Sequence, residues 1–213
     1  MPDDARLLAI QVETLLRVGA DGRLLAVNEA GEPPPGGDPP APRVFLGRSR
    51  AGNVVRYRHD LPTEIVRALD RLVGGEPVAS SLDGEPPTIR GALHAALRAH
   101  GDIRAEWRGP AYRFPANDRN PLPHAVVTVD DRNASLLDGP FASVRPWLTQ
   151  TRPCVAVVRD GAAVAVCRSV RRSPQAAEAG VETLPDFRGR GYGAAVVAAW
   201  ARAVRGEGLL PLY

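Results

Sequence analysis

Near its C-terminal end the chain reads VETLPDFRGRGYGAAVVAAWARAV, with Gly189, Gly191 and Gly193 at alternate positions and Arg188 and Arg190 between them. Glycines so spaced leave the backbone bare, so successive N–H groups can approach a ligand closely and adopt conformations closed to other residues. The stretch leads into an alanine-rich helical pattern, and the open N–H groups and positive dipole end of a helix favour an anion, above all a phosphate or pyrophosphate. Arg188 and Arg190 add fixed positive charge suited to phosphate oxygens. The residues Arg188, Gly189, Arg190, Gly191, Tyr192, Gly193 and Ala194 therefore read as a pyrophosphate cradle. Just upstream, Glu178 and Glu182 share one face of a predicted strand. Either carboxylate could accept a proton, or serve only as a solvated strand-edge charge.

Several explanations compete for the glycine turn. Gly189, Gly191 and Ala194 fit the dinucleotide fingerprint G-x-G-x-x-G/A, but that motif follows the first strand of a long βαβ series and needs an acid about 20 residues on. Here the sequence runs out in LLPLY, which carries no acid, so an NAD(P)-binding oxidoreductase is the weaker reading. A Walker loop needs a lysine for the terminal phosphate, and the sequence contains none. A strand-to-helix turn with no ligand is the structural alternative.

The run Arg188-Gly189-Arg190-Gly191-Tyr192-Gly193 resembles the Arg/Gln-x-x-Gly-x-Gly/Ala signature of the GNAT acyl-CoA N-acyltransferases. The strand pattern GVETLPDF before it, and the long helix and strand after it, stand where that family has them. The resemblance covers roughly residues 124–213 and implies an acetyl-CoA-dependent N-acetyltransferase acting by direct attack of an amine. It implies that N–H groups from Gly189 to Ala194 hold the pyrophosphate of coenzyme A, helped by Arg188 and Arg190. Backbone groups from Val181 through Thr183 to Leu184 would pair with the pantetheine arm, and an N–H there would polarise the thioester carbonyl. Glu182, with Glu178 second, would take the ammonium proton directly or through water. Small-molecule amines and peptide or protein amines are all used as acceptors within the family. A full domain of this family continues past its fifth strand, so the resemblance also implies a C-terminally incomplete domain. That leaves room for a homodimer or partner chain, for replacement by the N-terminal residues, and for a second reading as a non-catalytic CoA-binding or interaction module.

The elements that must position these residues are legible in outline. HAVVTVDD reads as a strand, SLLDGPFASVRPWLTQ as an interrupted helical region, and CVAVVRDGAAVAVC as a hairpin about Asp160-Gly161. AAEAGVETL is a further strand, GYGAAVVAAWARAVRGEG a helix and LLPLY a last strand. The expected fold class is α/β (α+β): a GNAT-like mixed, mostly antiparallel sheet with flanking helices over 121–213, preceded by a β-rich region over 1–120. In that region LLAIQVETLLRV and RLLAVNE read as strands of one hairpin, RVFLGRS and NVVRYRH as another. The Pro/Gly-rich stretch 29–42 reads as a surface loop. Helices are expected from Pro62 to Val73 and from Thr88, as N-cap, to His100. IRAEWRGPAYRFP is expected to be extended and NDRNPLP to break it; GALHAALRAHGDIRAEW has the helix-then-strand order that could complete the sheet. Trp107, Tyr112 and Phe114 read as core packing or as walls of an acceptor pocket.

Composition sets the remaining bounds. The chain has 213 residues, 44% hydrophobic and 24% charged, and a formal charge of +3 in which all 27 basic residues are arginine. The absence of lysine fits the coding bias of a GC-rich bacterial genome. No run of like charge suggests nucleic-acid binding, and no apolar run approaches the roughly 20 residues of a membrane span. The N-terminus lacks the pattern of a secretory signal, so a cytoplasmic location is expected. The two cysteines, Cys154 and Cys167, sit symmetrically about Asp160-Gly161. That spacing predicts two small residues directly opposite each other, facing one core, with a cross-strand disulfide as the geometric alternative. His59, His94, His100 and His124 show no metal-ligand spacing.

Overall fold

Asp3 opens the first helix, its side chain accepting a hydrogen bond of 2.8 Å from Arg6 N. The computed structural model describes residues 3–30, 37–81, 84–115 and 122–213. Helix α1 spans Asp4–Leu15 and runs into the short strand β1 (Leu16–Val18), so most of the strand expected over residues 7–18 is helix. Leu8 and Val12 lie on one side of α1, Ile10 and Thr14 on the other, and all four are buried. A helix covered on two sides buries every second residue over this stretch and so imitates a strand.

Contacts divide the chain into two units, Met1–Val27 with Pro39–Ala111 and Asn28–Asp38 with Tyr112–Tyr213. In the first unit β1 pairs antiparallel with β2 (Leu24–Val27), and β3 (Val44–Ser49) with β4 (Gly52–Tyr57), the two hairpins that the turn residues require. Helices α2 (Thr63–Gly74) and α3 (Arg90–Arg98) follow. Tyr57, Leu61, Val66, Leu69 and Leu93 form one core there, and Val12, Leu16, Leu24 and Ala41 another. Residues 31–36 of the Pro/Gly-rich stretch lie outside the described residues, as do 117–121 of the expected break and residue 116 before it.

Thr88 is not the cap of α3. Its hydroxyl donates to Glu76 Oε2 at 2.6 Å, and Glu76 also accepts from Thr88 N at 3.2 Å and Ile89 N at 3.1 Å. The Glu76 side chain is fully buried and lies 3.0 Å from Arg48 Nε. Burial alone would raise this carboxyl, but hydrogen bonds from Thr88 and Ile89 and the Arg48 charge outweigh it and hold the group below its ordinary range. A carboxylate 12 residues before Thr88 thus holds the backbone that leads into the helix, where the Thr88 side chain was expected to act as a cap.

The second unit is built on a five-stranded sheet of β5 (Val127–Val129), β6 (Cys154–Arg159), β7 (Ala162–Arg172), β8 (Ala176–Thr183) and β9 (Leu210–Leu212), in that order. The first three pairings are antiparallel and β8–β9 is parallel. Two 3-10 helices, Ala134–Leu137 and Ala142–Trp147, cover one face with Leu137, Phe141 and Val144. Helix α4 (Tyr192–Gly206) covers the other, with Val196, Trp200 and Val204 buried.

The turn at Asp160 and Gly161 has φ values of 50° and 81°, the two-residue form that a tight hairpin demands. A β-bulge between Val157 and Val158 then shifts the register, so Cys167 stands opposite Val155 and Cys154 opposite Arg168. The cysteines consequently face different cores, Cys167 beneath α4 and Cys154 beneath the 3-10 helices, which corrects the symmetric placement read from their spacing. Both are free and buried. Burial pushes the Cys154 thiol up to about 11 and that of Cys167 higher still.

Strand β9 pairs with β8 only at Ala176–Glu178. Its other edge is covered within the chain: Tyr112 and Tyr213 exchange backbone hydrogen bonds, and Arg113 bridges Leu212 antiparallel. The extended segment expected over 103–115 reduces to this contact, and α3 of the expected helix-then-strand pair belongs to the first unit. Trp107 and Tyr112 keep 80% and 57% of their surface exposed and are not core. Phe114 does pack, 6.0 Å from the Trp200 ring.

Candidate functional site

The site lies along β8 past its last β9 partner, Glu178. Leu184 N donates to Val164 O at 3.0 Å, so the even-numbered residues of β8 direct their backbone groups to β7. Val181 and Thr183, at odd positions, then direct theirs away from β7, beyond the last β9 partner at Glu178. A cleft of about 560 Å³ opens there. Val181, Glu182 and Thr183 line it from β8; Arg188, Gly193, Ala194 and Val197 line it from the loop and α4, and Tyr213 lies at the end of β9.

The loop reaches the helix through Gly189 and Gly191, at φ of 72° and 79°, where any residue with a Cβ is strained. Gly191 is the N-cap of α4 and supplies no side chain to it. The first N–H of the helix to find a partner in the chain is that of Ala195, 3.1 Å from Gly191 O. The N–H groups of Tyr192, Gly193 and Ala194 precede the first intrahelical bond and stay open at the positive end of the dipole. A Cβ on Gly193 would stand 3.4 Å from Thr183 Oγ1, so glycine keeps the gap between helix start and β8 clear.

The arginines order this loop. Arg188 Nε donates to Thr183 O at 3.1 Å, and one Arg190 amino group donates to Asp186 O at 3.0 Å while its guanidinium lies 5.4 Å from the Phe187 ring. Both side chains remain exposed. Tyr192 differs, being buried: its hydroxyl accepts from Arg159 Nε at 3.2 Å and its ring meets His124 edge-on at 4.6 Å. Tyr192 therefore anchors the turn and offers the cleft side only its backbone.

The sequence-predicted residues separate accordingly. Val181, Glu182, Thr183, Arg188, Gly193 and Ala194 gather on the cleft, and Gly189, Arg190, Gly191 and Tyr192 form the adjoining turn. Leu184 stands apart: its N–H is used by Val164 and its side chain packs into the core. The two carboxylates also differ. Glu182 is exposed on the cleft, whereas Glu178 lies 2.7 Å from Arg171, which also holds Glu29 at 2.7 Å. Val197 and Tyr213 were not singled out from the sequence. Val197 follows Gly193 by one helical turn, a readable spacing; Tyr213 arrives by strand pairing that no local signal encodes.

Open N–H groups at a glycine-capped helix thus stand beside the stretch of β8 that lies past its last β9 partner. Residues 124–212 match the acetyltransferase (GNAT) family. A putative acetyltransferase of the GNAT family from Novosphingobium aromaticivorans DSM 12444 is similar at 23% identity, over 44% of this chain and 47% of that one, with a TM-score of 0.34. A GCN5-related N-acetyltransferase-like protein from Streptococcus suis 89/1591 is similar at 20% identity, over 44% of this chain and 41% of its own, with a TM-score of 0.37. The chain thus spans less than half the length of either solved structure. No protein of curated function matches it. The GNAT-matched stretch holds all of the sheet, α4 and the glycine turn. Among the described residues no cluster of His, Cys, Asp or Glu could hold a metal, and no helix is long and apolar enough to cross a membrane.

Proposed function

We propose that the protein binds acetyl-CoA in the β8–β9 cleft and transfers the acetyl group to an amine by direct attack. The observation that carries this reading is the continuity of cleft and turn: Val181 and Thr183 on one wall, Gly193 and Ala194 at the open helix start on the other. The residues fit such a cosubstrate, because a Cβ at Gly193 would narrow the gap that the ligand must enter. The family match supports acyl transfer as the reaction class.

Acetyl-CoA, when bound, would supply an activated thioester. The N–H groups from Gly189 to Ala194 would hold the pyrophosphate, with Arg188 and Arg190 adding charge above it. The outward N–H groups of Val181 and Thr183 would fix the pantetheine arm, and one of them would stabilise charge on the carbonyl oxygen. The Thr183 carbonyl is held by Arg188, which presets the strand end rather than offering an acceptor. Glu182, exposed on the cleft and without the ion pair that occupies Glu178, would take a proton from the acceptor's ammonium, directly or through water, so that the free amine attacks the carbonyl, the C–S bond breaks and CoA leaves as a thiolate that takes up a proton from solvent. The acceptor would be a small-molecule amine or an amine of a peptide or protein. Calorimetric titration with acetyl-CoA and with CoA tests the binding step, followed by thiol release against an amine panel. Binding of both with thiol release above background is expected; no binding at millimolar ligand overturns the reading.

A further inference from the structure

The structure assigns His124 as a positioning residue of the glycine turn, acting on the Arg190–Gly191 peptide; the inference rests on the proposed binding of CoA there. His124 precedes β5, far in sequence from the turn, yet its Nε2 lies 2.8 Å from Arg190 O. A carbonyl can only accept, so Nε2 carries the proton and donates. The imidazole is held edge-on against the buried ring of Tyr192, which is in turn pinned by Arg159. The imidazole, the first residue of α4 and Arg159 on β6 thus form one run of contacts beside the turn.

The consequence lies across the peptide plane. In a trans peptide the C=O and N–H groups point in opposite directions, so a donor that fixes Arg190 O on one side fixes Gly191 N–H on the other. That N–H is one of the group proposed to hold the pyrophosphate. Hydrogen bonding to the carbonyl also polarises the peptide and strengthens its N–H as a donor. Gly191 has no side-chain restraint of its own and a φ of 79°, so without His124 the Arg190–Gly191 peptide would have more freedom to rotate. A Cβ at Gly191 would meet His124 Nε2 at 3.5 Å, an ordinary contact, so it is the positive φ and not the nearby ring that calls for glycine here.

The test compares CoA affinity in the full chain, His124→Ala and His124→Gln, since the Gln amide places a donor near the position of Nε2. Loss of one hydrogen bond that orients a donor to a charged group predicts about 10-fold weaker CoA binding in His124→Ala. In His124→Gln most of that loss should be recovered. A role in packing alone would leave the Gln variant as weak as Ala, and unchanged affinity in Ala would remove the role altogether; either result overturns the inference. A second measurement needs no variant: long-range nitrogen–proton NMR of His124 in the wild-type chain should find the proton on Nε2, and a neutral ring protonated only on Nδ1 would overturn it. Failure of the wild-type chain to bind CoA is a separate outcome: it sinks the proposed function, and this role with it.

Discussion

The starts of α3 and α4 solve one problem in opposite ways. Every helix begins with N–H groups that its own turns cannot satisfy. At α3 the chain brings in the buried Glu76 carboxylate, which accepts from Thr88 and Ile89 and is balanced by Arg48. At α4 the cap is Gly191, and among the described residues no side chain accepts from the N–H groups of Tyr192, Gly193 or Ala194. The first arrangement ties the N-cap and the residue before it to a group within the protein. The second leaves its N–H groups open to solvent or to an anion, and two exposed arginines stand beside it. The carboxylates of β8 repeat the contrast, Glu178 held by Arg171 and Glu182 facing the cleft.

The strongest way to break the contrast is to fill the open helix start. Gly191→Trp should abolish CoA binding, a loss of about 100-fold or more for two or more charge-assisted hydrogen bonds. The helical circular dichroism should be retained. Measurable affinity in that variant would place the ligand elsewhere.

Opening the closed start is the converse. Glu76→Ala leaves Arg48 and the N–H groups of Thr88 and Ile89 without the carboxylate, and should cost about 3 kcal/mol of stability in denaturant unfolding. Because the folded-state carboxyl of Glu76 is held below its ordinary range, its contribution is full above the unfolded value and is lost as pH falls through the folded value. The wild-type chain should therefore lose stability on acidification below the ordinary glutamate range, and the variant should lose less. CoA affinity of the folded variant should be unaltered.

The carboxylate pair gives a kinetic version. Glu182→Gln should lower turnover about 100-fold with little change in CoA affinity, and Glu178→Gln should leave turnover near the wild-type value. Equal losses from the two variants would remove Glu182 from its proposed role. Smallest is the effect of Arg188→Ala, about 3-fold weaker CoA binding for an exposed charge, shrinking further as salt is added.

The same contrast separates what sequence could and could not reveal. The turn from Arg188 to Gly193 was legible because its requirement is local: positive φ, open N–H groups and a following helix all reside in adjacent residues. The hairpin about Asp160-Gly161 was legible for the same reason, but the bulge at Val157 was not, and it moved Cys154 and Cys167 to opposite faces. Thr88 looked like a cap because caps are usually local, whereas Glu76 reaches it through the tertiary fold. Helix α1 was misread because burial on two sides gave it the period of a strand. Tyr213 and His124 join the site region through pairing and packing with residues distant in sequence, which no spacing rule records.

The central claim, that the open start of α4 and the free edge of β8 together hold a CoA molecule, is tested most directly by a crystal structure of the chain grown with CoA. The account predicts the pyrophosphate within hydrogen-bond distance of N–H groups between Gly189 and Ala194, with the pantetheine arm along Val181 and Thr183. A pyrophosphate bound away from this turn, or a pantetheine arm that makes no contact with β8, would contradict it.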